Sequence, residues 1–318
     1  MTDCPHSGDG ERAGRFGRLS IALLVAGGRG QLGHDLAAAA ARAGIVHAMV
    51  PDSATLDITD DTSVRAGVTT LAQRAQRGGL RPVLVNAAAY TAVDAAESEP
   101  ERAHAVNAGG PARLGAACAE HGVHLVHVST DYVFAGDAPA PYRVHDETAP
   151  RSVYGRSKLA GERAVLSSGA TVHVVRSAWL YGAHGSNFVR TMIRLERSRE
   201  TVDVVDDQRG SPTWTADLAD GLVALALAAD RVPPGVLHCA NGGVTTWYGL
   251  ARAVFTELGA DPERVRPCTT EQFPRPAPRP ANSVLDTASW TAAGLPALRP
   301  WRDALSAAFT AHGDTLHP

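Results

Sequence analysis

Residues 19–33 read LSIALLVAGGRGQLG. A short apolar run ends in Gly27, Gly28, Arg29, Gly30, Gln31, Leu32 and Gly33, and an Ala-rich helical stretch follows to Ala43. Glycines at Gly27, Gly30 and Gly33, after a strand and at the opening of a helix, permit a tight turn and a close approach of backbone to a pyrophosphate. The helix N-terminus would stabilise that anion. The stretch therefore predicts the first strand, turn and helix of a dinucleotide-binding domain.

Working outward, further short apolar runs lie at 45–50, 82–85, 123–128 and 171–175, each separated from the next by a helix-length segment. Strands alternating with helices imply a parallel sheet with right-handed crossovers, covered on both faces. The expected fold class is α/β, a Rossmann-type doubly wound parallel sheet with a smaller C-terminal substrate-binding domain. Beyond residue 181 the pattern is less regular. It predicts a helix from Asn187, a Gly/Pro break at 210–212, a helix over 215–229, and Thr245 and Thr246 as caps before a helix over 247–258. Four prolines within 273–280 predict an extended connection. The expected boundaries are a disordered tail at 1–18 and an NAD(P)-binding domain at 19–180, to which 214–240 returns. A smaller domain takes 181–213 and 241–318.

Composition narrows the function classes. Of 318 residues 44% are hydrophobic and the formal net charge is −3, with no clustered basic stretch, so neither nucleic acid nor a membrane is expected as partner. Cys4, Cys118, Cys239 and Cys268 show no metal-site or disulfide-scaffold spacing and read as free thiols in a reducing compartment. The first eighteen residues lack the basic start and apolar core of a signal peptide, and no apolar run approaches the ~20 residues that span a bilayer. A cytoplasmic location is expected. Of the 30 basic residues all but one are Arg, and the one Lys is Lys158. A chain that has otherwise replaced Lys by Arg keeps an amine where a planar, larger guanidinium cannot serve.

Tyr154 and Lys158 stand four apart at the start of a helical segment and project from one face. Hydride reduction of a ketone leaves an alkoxide to be protonated. A phenol donates that proton if its pKa of ~10 is drawn toward neutrality, which a neighbouring ammonium does. Ser129 and Thr130 end the strand over 123–128, and a hydroxyl there can polarise the carbonyl. Asp131 follows, as a ligand for sugar hydroxyls or as a cap of the next turn. Cofactor preference is open: Arg29 could meet the 2′-phosphate of NADPH, whereas Asp52 could be the ribose-binding acid that favours NADH. Asp57 and Ile58 read equally as adenosine contacts or as a solvated acid and a core residue. Residues 86–91, from Asn86 to Thr91, follow a strand and occupy the sheet edge where ligands bind.

With these residues in place, GRGQLG, NAAAYTAVDAAESEP, VNAGGPARL, VHVSTDYVFAG, VYGRSKLAGE, NFVRTM, VVDDQRGSPT and RPANSVLDT resemble the successive signatures of the dTDP-4-dehydrorhamnose reductase family of extended short-chain dehydrogenases, from about residue 19 to 302. The resemblance implies Tyr154 as proton donor, Lys158 as its partner and Thr130 as the hydroxyl that tunes the carbonyl. It implies that Thr130, Asp131, Tyr154 and Trp179 face a dTDP-sugar, with Asn187, Arg209 and Arg279 as donors toward the diphosphate and base. Gly30, Gln31, Leu32, Asp57, Ile58, Ala89, Tyr90 and Thr91 would line NADPH, or NADH as the alternative.

The family's metal-assisted dimer contact uses acidic residues to which no positions are assigned here. No metal ligand is named, Mg2+ is without support, and the chain is expected to be a monomer or homodimer. The Arg-rich composition fits a high-GC source, where this scaffold also serves antibiotic sugars such as dihydrostreptose. Two rival readings share the same residues: a sugar-nucleotide epimerase or dehydratase that retains its NAD, and a non-catalytic NADP-binding regulatory subunit.

Overall fold

The structure is a computed structural model that describes residues 21–316, and the tail expected at 1–18 lies outside them. Strand β1 (Ile21–Ala26) is buried along its whole length and leads through the glycine turn into α1 (Gln31–Arg42). Strand β2 (Ala48–Met49) is followed by α2 (Asp61–Gly78), which Asp60 caps by accepting from the Thr62 amide and which Gly79 ends at φ 60°. Then come β3 (Arg81–Asn86), the short helices α3 (Val93–Ala96) and α4 (Pro100–His104), one wide π-turn (Ala105–Gly109) and α5 (Gly110–His121). Strand β4 (His124–Thr130), helix α6 (Val153–Leu166) and strand β5 (Val172–Ser177) complete this half.

The second half opens with β6 (Leu180–Tyr181), α7 (Phe188–Ser198), β7 (Val202–Val205), β8 (Arg209–Gly210) and β9 (Thr213–Trp214). It continues through α8 (Thr215–Ala228), β10 (Gly235–His238), β11 (Thr245–Thr246), α9 (Trp247–Glu257) and β12 (Val265–Cys268). Helices α10 (Ala288–Ala292) and α11 (Trp301–Leu316), the latter kinked at His312, end the described chain.

The main sheet has the order β10-β5-β4-β3-β1-β2, and every pairing in it is parallel. Alternate residues of β1 show why both faces are covered. Ile21, Leu23 and Val25 pack with Leu36 of α1 and Leu218 and Leu222 of α8, while Ala22 and Leu24 pack with Val68 and Leu71 of α2 and Leu114 of α5. A third core, with Ile193 of α7, Val254 and Phe255 of α9 and Leu305 of α11, belongs to the smaller region.

Two expectations need correction. The strand expected over 45–50 pairs with β1 only at Ala48 and Met49, because Val46 turns outward at 86% exposure and the edge strand has a neighbour on one side alone. Nor does all of 241–318 pack with the smaller region. Trp290 of α10 and Leu295 pack into the same core as α1 and α8, so the chain near 290 returns to the large sheet.

The sheet carries four buried imidazoles. His124 and His173 face each other from β4 and β5 with Nε2 and Nδ1 2.7 Å apart, and His127 and His238 are also enclosed. Burial pushes His124 and His238 down to about 4, lowers His173, and holds His127 well below the usual range. The unfolded chain takes up protons near pH ~6.5 while folded His124 and His238 do not until about pH 4, and His127 and His173 are shifted in the same direction, so stability falls as pH drops through that window. Asp131 and Asp217, raised by burial, oppose this with fewer protons. The urea midpoint should fall between pH ~7 and ~5; a constant or rising midpoint would contradict these assignments.

Candidate active site

The glycine turn is built by contacts that leave no room for side chains. Gly27 sits at φ +83°, where a Cβ would stand 2.7 Å from the Ala88 amide; at Gly28 it would meet the Pro51 carbonyl at 2.6 Å, and at Gly33 the Gly27 carbonyl at 2.3 Å. The turn thus closes on the ends of β2 and β3 at once. Helix α1 has Gly30 at its N-cap, with no side-chain cap and no acidic residue in its first turn, so its leading amides remain available to an anion. These are the features a dinucleotide pyrophosphate requires. Leu32 is buried in the sheet core, and Gln31 accepts from the Asn187 amide at 2.8 Å.

The two residues on which cofactor preference turns prove to be partners. Arg29, 80% exposed, holds the Asp52 carboxylate at 3.3 Å. The Thr55 hydroxyl and amide, together with Arg29, keep that carboxyl below its usual range. Asp57 is exposed and closed onto the Thr59 amide and hydroxyl, which lower its pKa. The side chain of Ile58 belongs to the core beside Gly110, which leaves only its backbone to face a ligand.

Ala89, Tyr90 and Thr91 follow β3 at the carboxyl edge of the sheet. Their backbone is held by Asn107, which accepts from the Tyr90 amide at 2.8 Å and donates to the Tyr90 carbonyl and to Ser157 of α6, each at 3.0 Å. The Tyr90 hydroxyl donates to Glu99.

Ser152 caps α6 by accepting from the Gly155 amide, and this places Tyr154 in the first turn and Lys158 one turn on, both buried. The Lys158 amine is 2% exposed and donates to the Val128 carbonyl at 2.7 Å. Burial lowers it to about 8, against the pull of Glu162 one further turn along. Glu162 is itself bound by Arg176 of β5 through two bonds of 2.9 and 2.7 Å. Behind the site the Asn86 amide donates to His127 Nδ1 at 3.1 Å.

The Tyr154 phenol lies against the Thr130 hydroxyl and has the Tyr132 ring edge-on at 5.5 Å. Its acidity corrects the sequence reading: burial pushes it up to about 12, only partly offset by the Thr130 hydrogen bond. The charge of Lys158 is directed at the Val128 carbonyl and does not draw the phenol toward neutrality here. Next to it, Thr130 donates to Asp131 at 2.9 Å, and burial raises Asp131 to about 6.

Trp179 has φ 50°, a strained backbone for a bulky residue, and stacks flat on Trp247 of α9 with ring centres 3.5 Å apart. Its indole nitrogen donates to Ser283, and Gly210 is confined to glycine by the Trp179 ring, which a Cβ would meet at 2.3 Å. Beside this pair a cavity of about 790 Å³ is lined by Phe188, Met192, Val204, Gln208, Trp247 and Arg279. Arg279 is tied to Asp94 at 2.9 Å and to the Ala277 carbonyl at 2.8 Å.

The other two donors expected for the diphosphate are placed differently. Asn187 spends both amide hydrogens on Gln31 and the Gly182 carbonyl, and its oxygen caps α7, so it is a strut between the glycine turn and the smaller region. Arg209 is exposed and is not among the residues lining the cavity. Sequence reasoning missed Asn107, Asp94, Gln208 and Ser283, although all four stand inside the quoted motifs. Trp247 carried no signal of its own.

Among the described residues, no cluster of three or more His, Cys, Asp or Glu could hold a metal ion, and no helix is long and apolar enough to cross a membrane.

Comparison with known proteins finds relatives over most of the chain. A family model described as the RmlD substrate binding domain matches residues 21–313. The dTDP-4-dehydrorhamnose reductase of Mycobacterium tuberculosis is 52% identical over 304 residues, 94% of each chain. A probable dTDP-4,6-dihydroxy-2-methyloxan-3-one 4-ketoreductase of Streptomyces antibioticus is 49% identical, covering 90% of this chain and 94% of the relative. A crystal structure of dTDP-4-dehydrorhamnose reductase from Bacillus anthracis str. Ames in complex with NADP superposes with a TM-score of 0.83 at 34% identity, over 92% of this chain and 99% of the other.

The glycine geometry yields a direct test. Gly33→Ala would place a methyl 2.3 Å from the Gly27 carbonyl, and the backbone there cannot yield without opening the turn. Affinity for a nicotinamide dinucleotide, followed by fluorescence titration, should drop by about tenfold or more, equivalent to ~1.4 kcal/mol. Unchanged affinity would show that the turn is not the pyrophosphate site.

Proposed function

The chain belongs to the dTDP-4-dehydrorhamnose reductase family, and on that footing we propose that Tyr154, Lys158 and Thr130 perform the proton half of the ketone reduction. The protein is an NAD(P)H-dependent oxidoreductase, a dTDP-4-dehydrorhamnose reductase or a related dTDP-4-keto sugar reductase of deoxysugar biosynthesis. The observation that carries the assignment of roles is the convergence of a buried phenol, a buried amine and a strand-end hydroxyl at the carboxyl edge of β4, above the glycine turn.

NADPH, when bound, supplies the hydride. The glycine turn and the leading amides of α1 hold its pyrophosphate, Arg29 meets the 2′-phosphate, and the backbone of Ala89, Tyr90 and Thr91 follows the nicotinamide half. Lys158 orients the ribose. Thr130 polarises the keto oxygen, and Tyr154 passes its phenolic proton to the oxygen as charge develops.

The Trp179 ring and Asp131 face the sugar, and the 790 Å³ cavity, with Arg279 on its wall, takes the nucleotide end. The substrate is a dTDP-4-keto-6-deoxy-L-sugar, with dTDP-4-dehydrorhamnose first and the precursor of dTDP-dihydrostreptose as the related alternative. Free thiols at Cys118, Cys239 and Cys268 support a cytoplasmic location. Incubation with NADPH and a panel of 4-keto-6-deoxy sugar nucleotides, with identification of the reduced product, tests the reading. Cofactor left unconsumed by every member would reject it.

Two sets of variants separate the roles. Tyr154→Phe should fold and bind NADPH but lose ~10²–10⁴ in kcat, and Lys158→Arg should be nearly as impaired because the buried pocket fits an amine and not a planar fork. Activity within a few-fold of the parent in either would overturn the assignment. Arg29→Ala should weaken NADPH by about tenfold and NADH little, since it removes a charge-assisted bond to the extra phosphate. It also leaves the Asp52 carboxylate to the Thr55 amide and hydroxyl. Equal losses for both cofactors would confine Arg29 to shaping the turn.

A further inference from the structure

The Thr130 hydroxyl is surrounded by more partners than one proton can serve. Its oxygen accepts from the Tyr132 amide at 3.2 Å, lies against the Tyr154 phenol, and donates to Asp131 Oδ1 at 2.9 Å. A hydroxyl has one hydrogen to give. While it points at Asp131, none is left for a substrate carbonyl. Asp131 is 3% exposed, and its second oxygen, Oδ2, is buried without a hydrogen-bond partner. A role in holding a sugar hydroxyl would account for that free oxygen but not for the bond to Thr130.

We infer that Asp131 is a positioning residue that steers the Thr130 proton: ionised, it draws the proton away from the site, and protonated, it donates to the Thr130 oxygen and frees that proton for the keto group. The inference rests on Thr130 being the hydroxyl that polarises the carbonyl. Only hydrogen bonds are exchanged. The carboxyl proton stays on Asp131, the hydroxyl proton stays on Thr130, and the hydride and the Tyr154 proton reach the substrate as before.

Such a gate needs a carboxyl that holds its proton near neutral pH. Burial raises Asp131 to about 6, while the Ser283 and Thr130 hydroxyls favour the ionised form and pull it back. The titratable groups facing it are two phenols, Tyr132 from the same turn and Tyr154 from α6. Both are raised mainly by burial and further by the Asp131 charge. Arg279 and Asp94 act on Tyr132, one layer away. Ser283, which accepts from the Trp179 indole, stands near the carboxyl, so the gate lies beside the stacked Trp179–Trp247 pair.

The test has one arm without turnover. In the unliganded protein, carbon-13 NMR of the Asp131 carboxyl should show a midpoint near pH 6. Thr130→Val should raise that midpoint by removing a donor to the carboxylate, and Thr130→Ser should leave it in place. A midpoint indifferent to Thr130→Val, or found at the ordinary value of ~3.9, overturns the inference even if the protein proves to reduce no sugar nucleotide.

The second arm is the pH profile of kcat/KM for reduction. The parent should lose up to about tenfold per pH unit above its midpoint. Asp131→Asn, whose amide donates permanently, should lack that limb whatever its absolute rate, and fall only as Lys158 loses its charge near pH 8. A limb that persists in Asp131→Asn overturns the gate. A variant that raises KM equally at every pH and leaves the profile unaltered reduces Asp131 to a sugar-binding group.

Discussion

The contact on which the site depends is the 2.7 Å hydrogen bond from the buried amine of Lys158 to the Val128 carbonyl. An ammonium removed from water is strongly unfavourable unless it is hydrogen-bonded, so α6 has one satisfactory position along β4. Val128 immediately precedes Ser129 and Thr130, and anchoring the amine there sets Tyr154, one helical turn earlier, against the Thr130 hydroxyl. One turn later Glu162 meets Arg176 of β5 in a second buried contact. Two charged residues on one helical face thus fix α6 to two neighbouring strands. Breaking either would leave an uncompensated charge in the interior, at roughly 3–5 kcal/mol for such a pair.

The same packing explains how the two regions meet. The large sheet ends at a carboxyl edge where the glycine turn, the strand end of β4 and the first turn of α6 converge. The smaller region closes on that edge through a few defined links. Asn187 ties α7 to Gln31 of the glycine turn, Arg279 and Arg275 reach Asp94 after β3, and Trp179 stacks on Trp247 while its nitrogen holds Ser283. The strained φ of Trp179 and the bare Cα of Gly210 follow from that stack. The proposed substrate site therefore lies along the seam between regions.

Particular residues show how far the chain could be read without coordinates. The alternation of β1 between two cores, the glycine spacing and the four-residue step from Tyr154 to Lys158 are local. Backbone periodicity expresses them wherever the segment folds, so the sheet class, the turn and the Tyr154–Lys158 pair were legible. Asn107 and Ser283 stood in quoted motifs but had no assignable role, because each acts on a residue distant in sequence: Tyr90 in one case, Trp179 in the other. The return of Trp290 to the large core was hidden for the same reason.

The sequence by itself determined the parallel α/β architecture and the family, and it pointed to the side chains proposed to react. These depend on spacing within single elements, and an amine kept amid 29 arginines marks its own site. Only the tertiary structure decided what those side chains can do. It showed that the Lys158 charge is directed at Val128, that the Tyr154 phenol is raised by burial, and that Arg29 and Asp52 form one pair. It also made Asn187 a strut and bound the Thr130 proton to Asp131. Acidity and hydrogen-bond direction follow from desolvation and from the nearest partner, and both are fixed by packing between segments that the order of residues leaves far apart.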